Sequence, residues 1–171
     1  MRAVDINPVI DLSTVRSFGV ARNPFDRILS AYNFLNARLQ PSDTNYYKLG
    51  LNHYIELDFK TWLLKAETWM PFDVNKTWKP DQKMQSYDWL TIDGEIAVRK
   101  VIRFEHLVKE FKELLEEWNL LGRFSIPHNN ANPPTKTKYD NEMLDFMYEH
   151  FADDMRVFGY TYENSRTFKG N

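Results

Sequence analysis

Apolar and polar positions along the chain follow two periods, one of strands and one of helices. "SFGVA" (17–21) is a short apolar run bounded by charge and reads as a buried strand. Directly after it, Phe25, Ile28, Leu29, Tyr32, Leu35 and Leu39 fall on one helical stripe. Asn23 suits the cap of that helix and Pro24 its first turn. "QPSDTNYYKLGLN" (40–52) has no such spacing and reads as a loop. Ile55, Phe59, Trp62, Leu63 and Ala66 predict a second helix over about 53–69, stopped by Pro71. Residues 71–90 are irregular, with a short helix near their end. "IDGE" (92–95) centres on Asp-Gly, a turn signal, and "IAVRKVIRFE" (96–105) reads as a strand. Leu107, Phe111, Leu114, Leu115 and Trp118 make one face of a third helix, with Gly122 just past its end. "RFSIPHNNANPPTKTKY" (123–139) is a polar loop. Met143, Met147, Phe151 and Met155 line a last helix over 140–158, and Gly159 suits its C-cap.

This order predicts an α/β fold, rich in helix, with a small parallel sheet, in a single domain over 1–171. The chain between the two strands is long enough for the crossover that a parallel pair requires. Two strands make a thin sheet. Either a strand is missing from it, or "NPVIDL" (7–12) supplies another. A sheet so small exposes an edge or an apolar face, so a homodimer is expected.

Composition narrows the function. The chain has 171 residues and a formal net charge of -2, which argues against a general nucleic-acid binder but leaves room for a local site for a small anion. It has no cysteine, which excludes disulfides, thiolate zinc sites and cysteine nucleophiles and fits a reducing compartment. The first twenty residues carry Asp5, Asp11 and Arg16 and lack a signal peptide's apolar core, and no run reaches membrane-span length. The expected protein is soluble and cytoplasmic. The carboxylates are scattered without metal-site spacing, so no metal is expected. Asp153 and Asp154 read as helix-surface charge. Most of the aromatic side chains read as core.

The strand-to-helix corner at residues 18–32 is the candidate site. In open α/β sheets, ligands sit beyond the carboxyl ends of the strands, where helix N-termini offer N–H groups. Arg22 stands where the first strand should end, and its planar fork suits a phosphate. Ser30 follows eight residues later, off the apolar stripe. The same residues also admit a plain reading, an arginine paired with a carboxylate and a solvated helical serine.

"VARNPFDRILSAYNF" resembles the 3′-phosphate-binding motif of sulfotransferases that use 3′-phosphoadenosine 5′-phosphosulfate, and is most similar to the carbohydrate sulfotransferase branch. Further stretches resemble the same family in the same order. "TWKPDQKMQSYDWL" (77–90) is similar to its H-W-x-P-Q stretch through Trp78, Pro80 and either Gln82 or Gln85. "VIRFEHLVKEF" (101–111) looks like its R-F-E-x-L strand-to-helix segment. "IPHNNANP" (126–133) and "FADDMRVFGY" (151–160) resemble its late loop and closing helix. The resemblance covers roughly residues 15 to 162.

The resemblance implies a P-loop-like fold in which Arg22 and Ser30 grip the donor's 3′-phosphate. It implies 3′-phosphoadenosine 5′-phosphosulfate as co-substrate, adenosine 3′,5′-bisphosphate as its remainder, and transfer of a sulfuryl group to a hydroxyl, on a carbohydrate by that branch. It implies a base for the acceptor proton. Of the four histidines, His106 follows the "RFE" strand and His128 lies in the late loop, which makes these two the candidates. His53 and His150 fall on predicted helices and read as surface or packing residues. Glu105 reads as a structural carboxylate that orients Arg103 or caps the next helix. Lys136 and Lys138 are either solvated or hold an anion. Trp89 reads as an anchor to the core.

Two departures stand out. Thr77 takes the place of the family's H-W-x-P-Q histidine. The family's lysine- and glycine-containing loop for the 5′-phosphosulfate has no counterpart, since no lysine precedes Lys48 and Gly19 is the only glycine before residue 50. The expectation is a domain incomplete at its N-terminus, and the alternative function is a non-catalytic nucleotide- or carbohydrate-binding module on a truncated sulfotransferase scaffold. A nucleotide kinase is disfavoured, because the chain has no G-x-x-x-x-G-K.

Overall fold

Small and β-branched residues at 18–21 and 100–103 form the sheet seen in a computed structural model, which describes residues 3–6, 8–12, 14–38, 57–64, 85–124 and 137–166. These residues fall into two compact units, Met1–Asn23 with Gln85–Pro134 and Pro24–Met84 with Thr135–Asn171.

In the first unit, β1 (Phe18–Ala21) pairs in parallel with β4 (Lys100–Arg103). The register runs from Phe18 opposite Lys100 to Ala21 opposite Arg103. Alternation puts Gly19 and Ala21 on one face and Phe18 and Val20 on the other. The strand is only half buried, contrary to expectation: Ala21 is enclosed, whereas Phe18 and Val20 are 43% and 42% exposed. A Cβ on Gly19 would run into the end of the Leu90 side chain, so any larger residue there must displace Leu90. Leu90 ends α4 (Ser86–Leu90), the short helix expected near the end of the irregular stretch.

The strand expected over 96–105 divides. Its start forms β3 (Glu95–Ile96), antiparallel to β2 (Thr91–Ile92), and pairing with β1 begins only at Lys100. Asp93 and Gly94 join β2 to β3 with φ of 51° and 85°, the positive pair that a tight type I′ hairpin turn needs. "NPVIDL" forms no strand over its described residues 8–12. It is a turn after α1 (Ala3–Ile6), with the N–H groups of Val9 and Ile10 donating to the Ile6 carbonyl.

After β4 come a 3-10 turn (Phe104–His106) and α5 (Leu107–Glu117). Leu114 and Leu115 are buried, and Phe111 and Trp118 pack on Phe18 with ring centroids 5.7 and 6.3 Å away. The helix end is not the glycine cap expected at Gly122. Asn119 takes the left-handed conformation, its N–H donates to Glu116 O, and the Leu120 N–H reaches back to Leu115 O at 2.7 Å. This is a Schellman cap with asparagine in the usual glycine position.

The second unit is helical over its described residues: α2 (Pro24–Arg38), α3 (Phe59–Leu64), α6 (Asn141–His150) and α7 (Ala152–Phe158). The single helix expected over 140–158 is thus two, separated at the buried Phe151. Asp140 caps α6 by accepting from the Met143 N–H, and Gly159 closes α7 at φ 67°. The helical stripes meet in one core of Phe25, Ile28, Trp62, Leu63, Met143, Met147 and Phe151, joined by Tyr139 and Tyr162. At the start of α3, Asp58 accepts from the Thr61 hydroxyl and N–H, and those bonds lower its pKa.

Tyr139 is enclosed in that core. Its hydroxyl donates to the Phe25 carbonyl at 2.9 Å, and its N–H donates to the Tyr162 hydroxyl at 3.1 Å. Burial, and secondarily the Asp26 charge, push the phenol well above its usual 10.0. Because the folded value is raised, the phenol's contribution is complete below the unfolded value and declines as pH rises beyond about 10. Urea midpoints at neutral pH and above pH 10 are therefore expected to fall less for Tyr139→Phe than for the parent. At neutral pH the substitution costs about 1 kcal/mol for the lost hydrogen bond. Equal alkaline losses in both proteins would rule out Tyr139 as the titrating group.

Candidate functional site

Parallel pairing in register does more than join two strands. It carries the residues beyond their ends forward in step. The offset of 82 between Phe18 and Lys100 is kept to Ala21 and Arg103. One step further, the Arg22 guanidinium lies over the Phe104 ring, 4.5 Å from its centroid. One more step, the Asn23 N–H donates to Glu105 Oε1 at 2.8 Å. The ring contact orients a cation that stays partly exposed, worth about 0.5–1 kcal/mol at such a site. The carboxylate fixes the backbone just before α2 begins.

Glu105 has a structural partner that the sequence did not suggest: it accepts from the backbone at the first strand's corner. The Arg103 N–H donates to Glu110 Oε2 at 2.7 Å, and the residue before α5 makes no side-chain cap. His106 ends the 3-10 turn and is exposed. Arg22 and His106 thus stand at the same carboxyl end of the sheet. His128 lies outside the described residues, as do His53, Lys136, Trp78 and Gln82. Gln85 is fully buried, Trp89 is half-buried, and Lys138 is exposed.

In the second unit, the motif's remaining polar residues have structural work. Asp26 is buried and accepts from the Arg166 N–H at 2.9 Å. Arg27 pairs with Asp154 at 3.2 Å and lies over the Phe151 ring. Asp154 is fully buried, so it is not the surface charge expected from sequence. Its neighbour Asp153 is, paired with Arg156 at 2.9 Å. His150 packs on its own helix, stacked on Phe146 with its Nδ1 at 3.0 Å from the Phe146 carbonyl. Ser30 sits half-buried on the second turn of α2, and its hydroxyl makes no hydrogen bond among the described residues.

Sequence reasoning missed Phe104 as the support of Arg22, the Asn23–Glu105 link and the Arg27–Asp154 pair. The first two follow from the strand register, which no local pattern encodes. The third had a faint signal, since Asp154, seven residues after Met147 and three after Phe151, falls on their apolar helix face and is poorly placed for solvent.

Chemically, the sheet end carries a guanidinium oriented on an aromatic ring, and an exposed imidazole follows two residues after that ring in the chain. That arrangement fits a phosphate group and a proton acceptor. Among the described residues no group of three or more His, Asp or Glu side chains is placed to hold a metal ion, and no helix is long and apolar enough to cross a membrane. A family model described as the sulfotransferase family matches residues 6–161. No curated protein and no solved structure matches the chain.

Proposed function

Since the chain belongs to the sulfotransferase family, we propose that it binds 3′-phosphoadenosine 5′-phosphosulfate and directs its sulfuryl group to a hydroxyl, on a carbohydrate acceptor. The observation that carries this reading is Arg22, oriented over Phe104 at the carboxyl end of a parallel strand. Its fork and the Ser30 hydroxyl are the groups we assign to the 3′-phosphate. Of the other polar side chains of "RNPFDRILS", Asn23 and Asp26 are buried and Arg27 is paired with Asp154.

In the reaction proposed, the acceptor oxygen forms a bond to sulfur as the bond from sulfur to the donor's phosphate oxygen breaks. The acceptor proton leaves to a base, for which His106 and His128 are the candidates. His106 has the exposure this requires. The carbohydrate acceptor rests on the motif's likeness to that branch. We read residues 1–171 as one domain of P-loop-like type, and the half-exposed Phe18 and Val20 on β1 support pairing of two copies.

The test is thermal unfolding with adenosine 3′,5′-bisphosphate, against AMP, which lacks the 3′-phosphate. A ligand at a hundredfold excess over its Kd adds about 2.7 kcal/mol. In a chain of this length that raises the midpoint by about 5–10 °C. AMP is expected to give a small part of that rise. Equal shifts with the two nucleotides, or none with either, would overturn the donor assignment. Where the bisphosphate binds, incubation with labelled donor and a hydroxylated saccharide separates a transferase from a binding module without catalysis.

A further inference from the structure

At the opposite, amino ends of β1 and β4, about 13 Å along the strands from Arg22, a cleft of about 320 Å³ opens between Arg16, Arg99, Lys100, Glu117 and Trp118. We propose that this cleft is a second anion site, for a sulfate or phosphate monoester. The candidate donor site does not use any of these residues.

Three observations point to an anion. The cleft gathers three cations against one carboxylate, a surplus that matches a dianion in a chain whose overall charge is negative. The cations are placed with differing freedom. Arg16 is fixed, its Nη1 donating to the Trp118 carbonyl at 2.8 Å, which also satisfies an open carbonyl at the end of α5. Lys100 is held by Glu117 at 3.3 Å. Arg99 is anchored through its backbone alone, its N–H donating to the Ser17 hydroxyl at 3.2 Å. Its guanidinium has no partner among the described residues. Finally, the wall is preorganised: the Lys100 N–H donates to the Ser17 carbonyl and Trp118 packs on Phe18, so both sides belong to the paired strands and the helix end. A guanidinium left open beside two fixed cations is a place for a tetrahedral oxyanion held by two parallel N–H bonds.

The test follows the indole N–H signal of Trp118 by NMR, assigned with Trp118→Phe, while sodium sulfate is added to the full chain. Sodium chloride at matched ionic strength is the control. A saturating shift with sulfate is expected, at least tenfold weaker in Arg99→Ala, whose exposed side chain makes no hydrogen bond or ion pair among the described residues. Glu117→Gln, which removes the opposing charge, is expected to tighten binding severalfold. Arg22→Ala is expected to leave the titration unchanged, which separates this cleft from the donor site. Glucose 6-sulfate and glucose 6-phosphate then identify the ester, the tighter of the two naming the source. Chloride shifts equal to those of sulfate, or an Arg99→Ala titration like the parent's, would overturn the site. Binding of neither ester more tightly than inorganic sulfate would overturn its assignment to an ester.

Discussion

Arg22→Ala is expected to abolish most of the rise of about 5–10 °C that adenosine 3′,5′-bisphosphate gives the parent. The reason is the loss of charge-assisted, bidentate hydrogen bonds to a phosphate, each worth about 1.5–3 kcal/mol. Two such bonds exceed the stabilisation that a hundredfold excess of ligand supplies. The ligand-free protein should lose less than the ligand response does, because Arg22 is partly exposed and its ring contact with Phe104 is worth about 0.5–1 kcal/mol. That asymmetry, a smaller loss of fold than of ligand response, distinguishes a binding residue from a structural one. Arg22→Lys keeps the charge without the fork and is expected to fall between the two. Differential scanning fluorimetry over a nucleotide titration reads all three proteins. A full bisphosphate response in Arg22→Ala would remove Arg22 from the site.

Asp154→Ala is expected to have the opposite profile, a large loss of stability from a residue with no assigned contact to ligand. Asp154 is fully buried and pairs with Arg27, which is itself only 21% exposed in its side chain. Removing one partner of such a pair leaves a charge in a poorly solvated place, at about 3–5 kcal/mol in fully buried cases. Arg27 retains some solvent and the Phe151 ring, so the lower end, about 3 kcal/mol, is expected, or a fall in Tm of about 6–12 °C. The double substitution Arg27→Met with Asp154→Leu removes both charges and should regain most of that loss. Urea unfolding of the three variants measures it. A loss below about 1 kcal/mol for Asp154→Ala would mean the pair is solvated in solution, as surface pairs are.

These two residues also mark the boundary between what is local and what is not. The sequence by itself determined the elements whose cause lies within a few residues. The stripe from Phe25 to Tyr32 made α2, Asp-Gly at 93–94 made the hairpin turn, Asp140 capped α6, and Gly159 stopped α7. It also placed Arg22 at a strand end and Ser30 on the following helix, because period and punctuation are short-range properties. Tertiary structure alone decided the pairing of β1 with β4 and its register. That register sets Phe104 under Arg22 and Glu105 against the Asn23 backbone, 82 residues away in the chain. It likewise decided that Asp154 is buried while Asp153 is not, since the two differ only in which side of α7 faces Arg27. Asn119, and not Gly122, capped α5, because apolar contacts of α5 with the sheet end before the glycine is reached. Local patterns specify where the backbone can hydrogen-bond to itself. Which distant charge or ring a side chain meets is settled only when strands and helices pack.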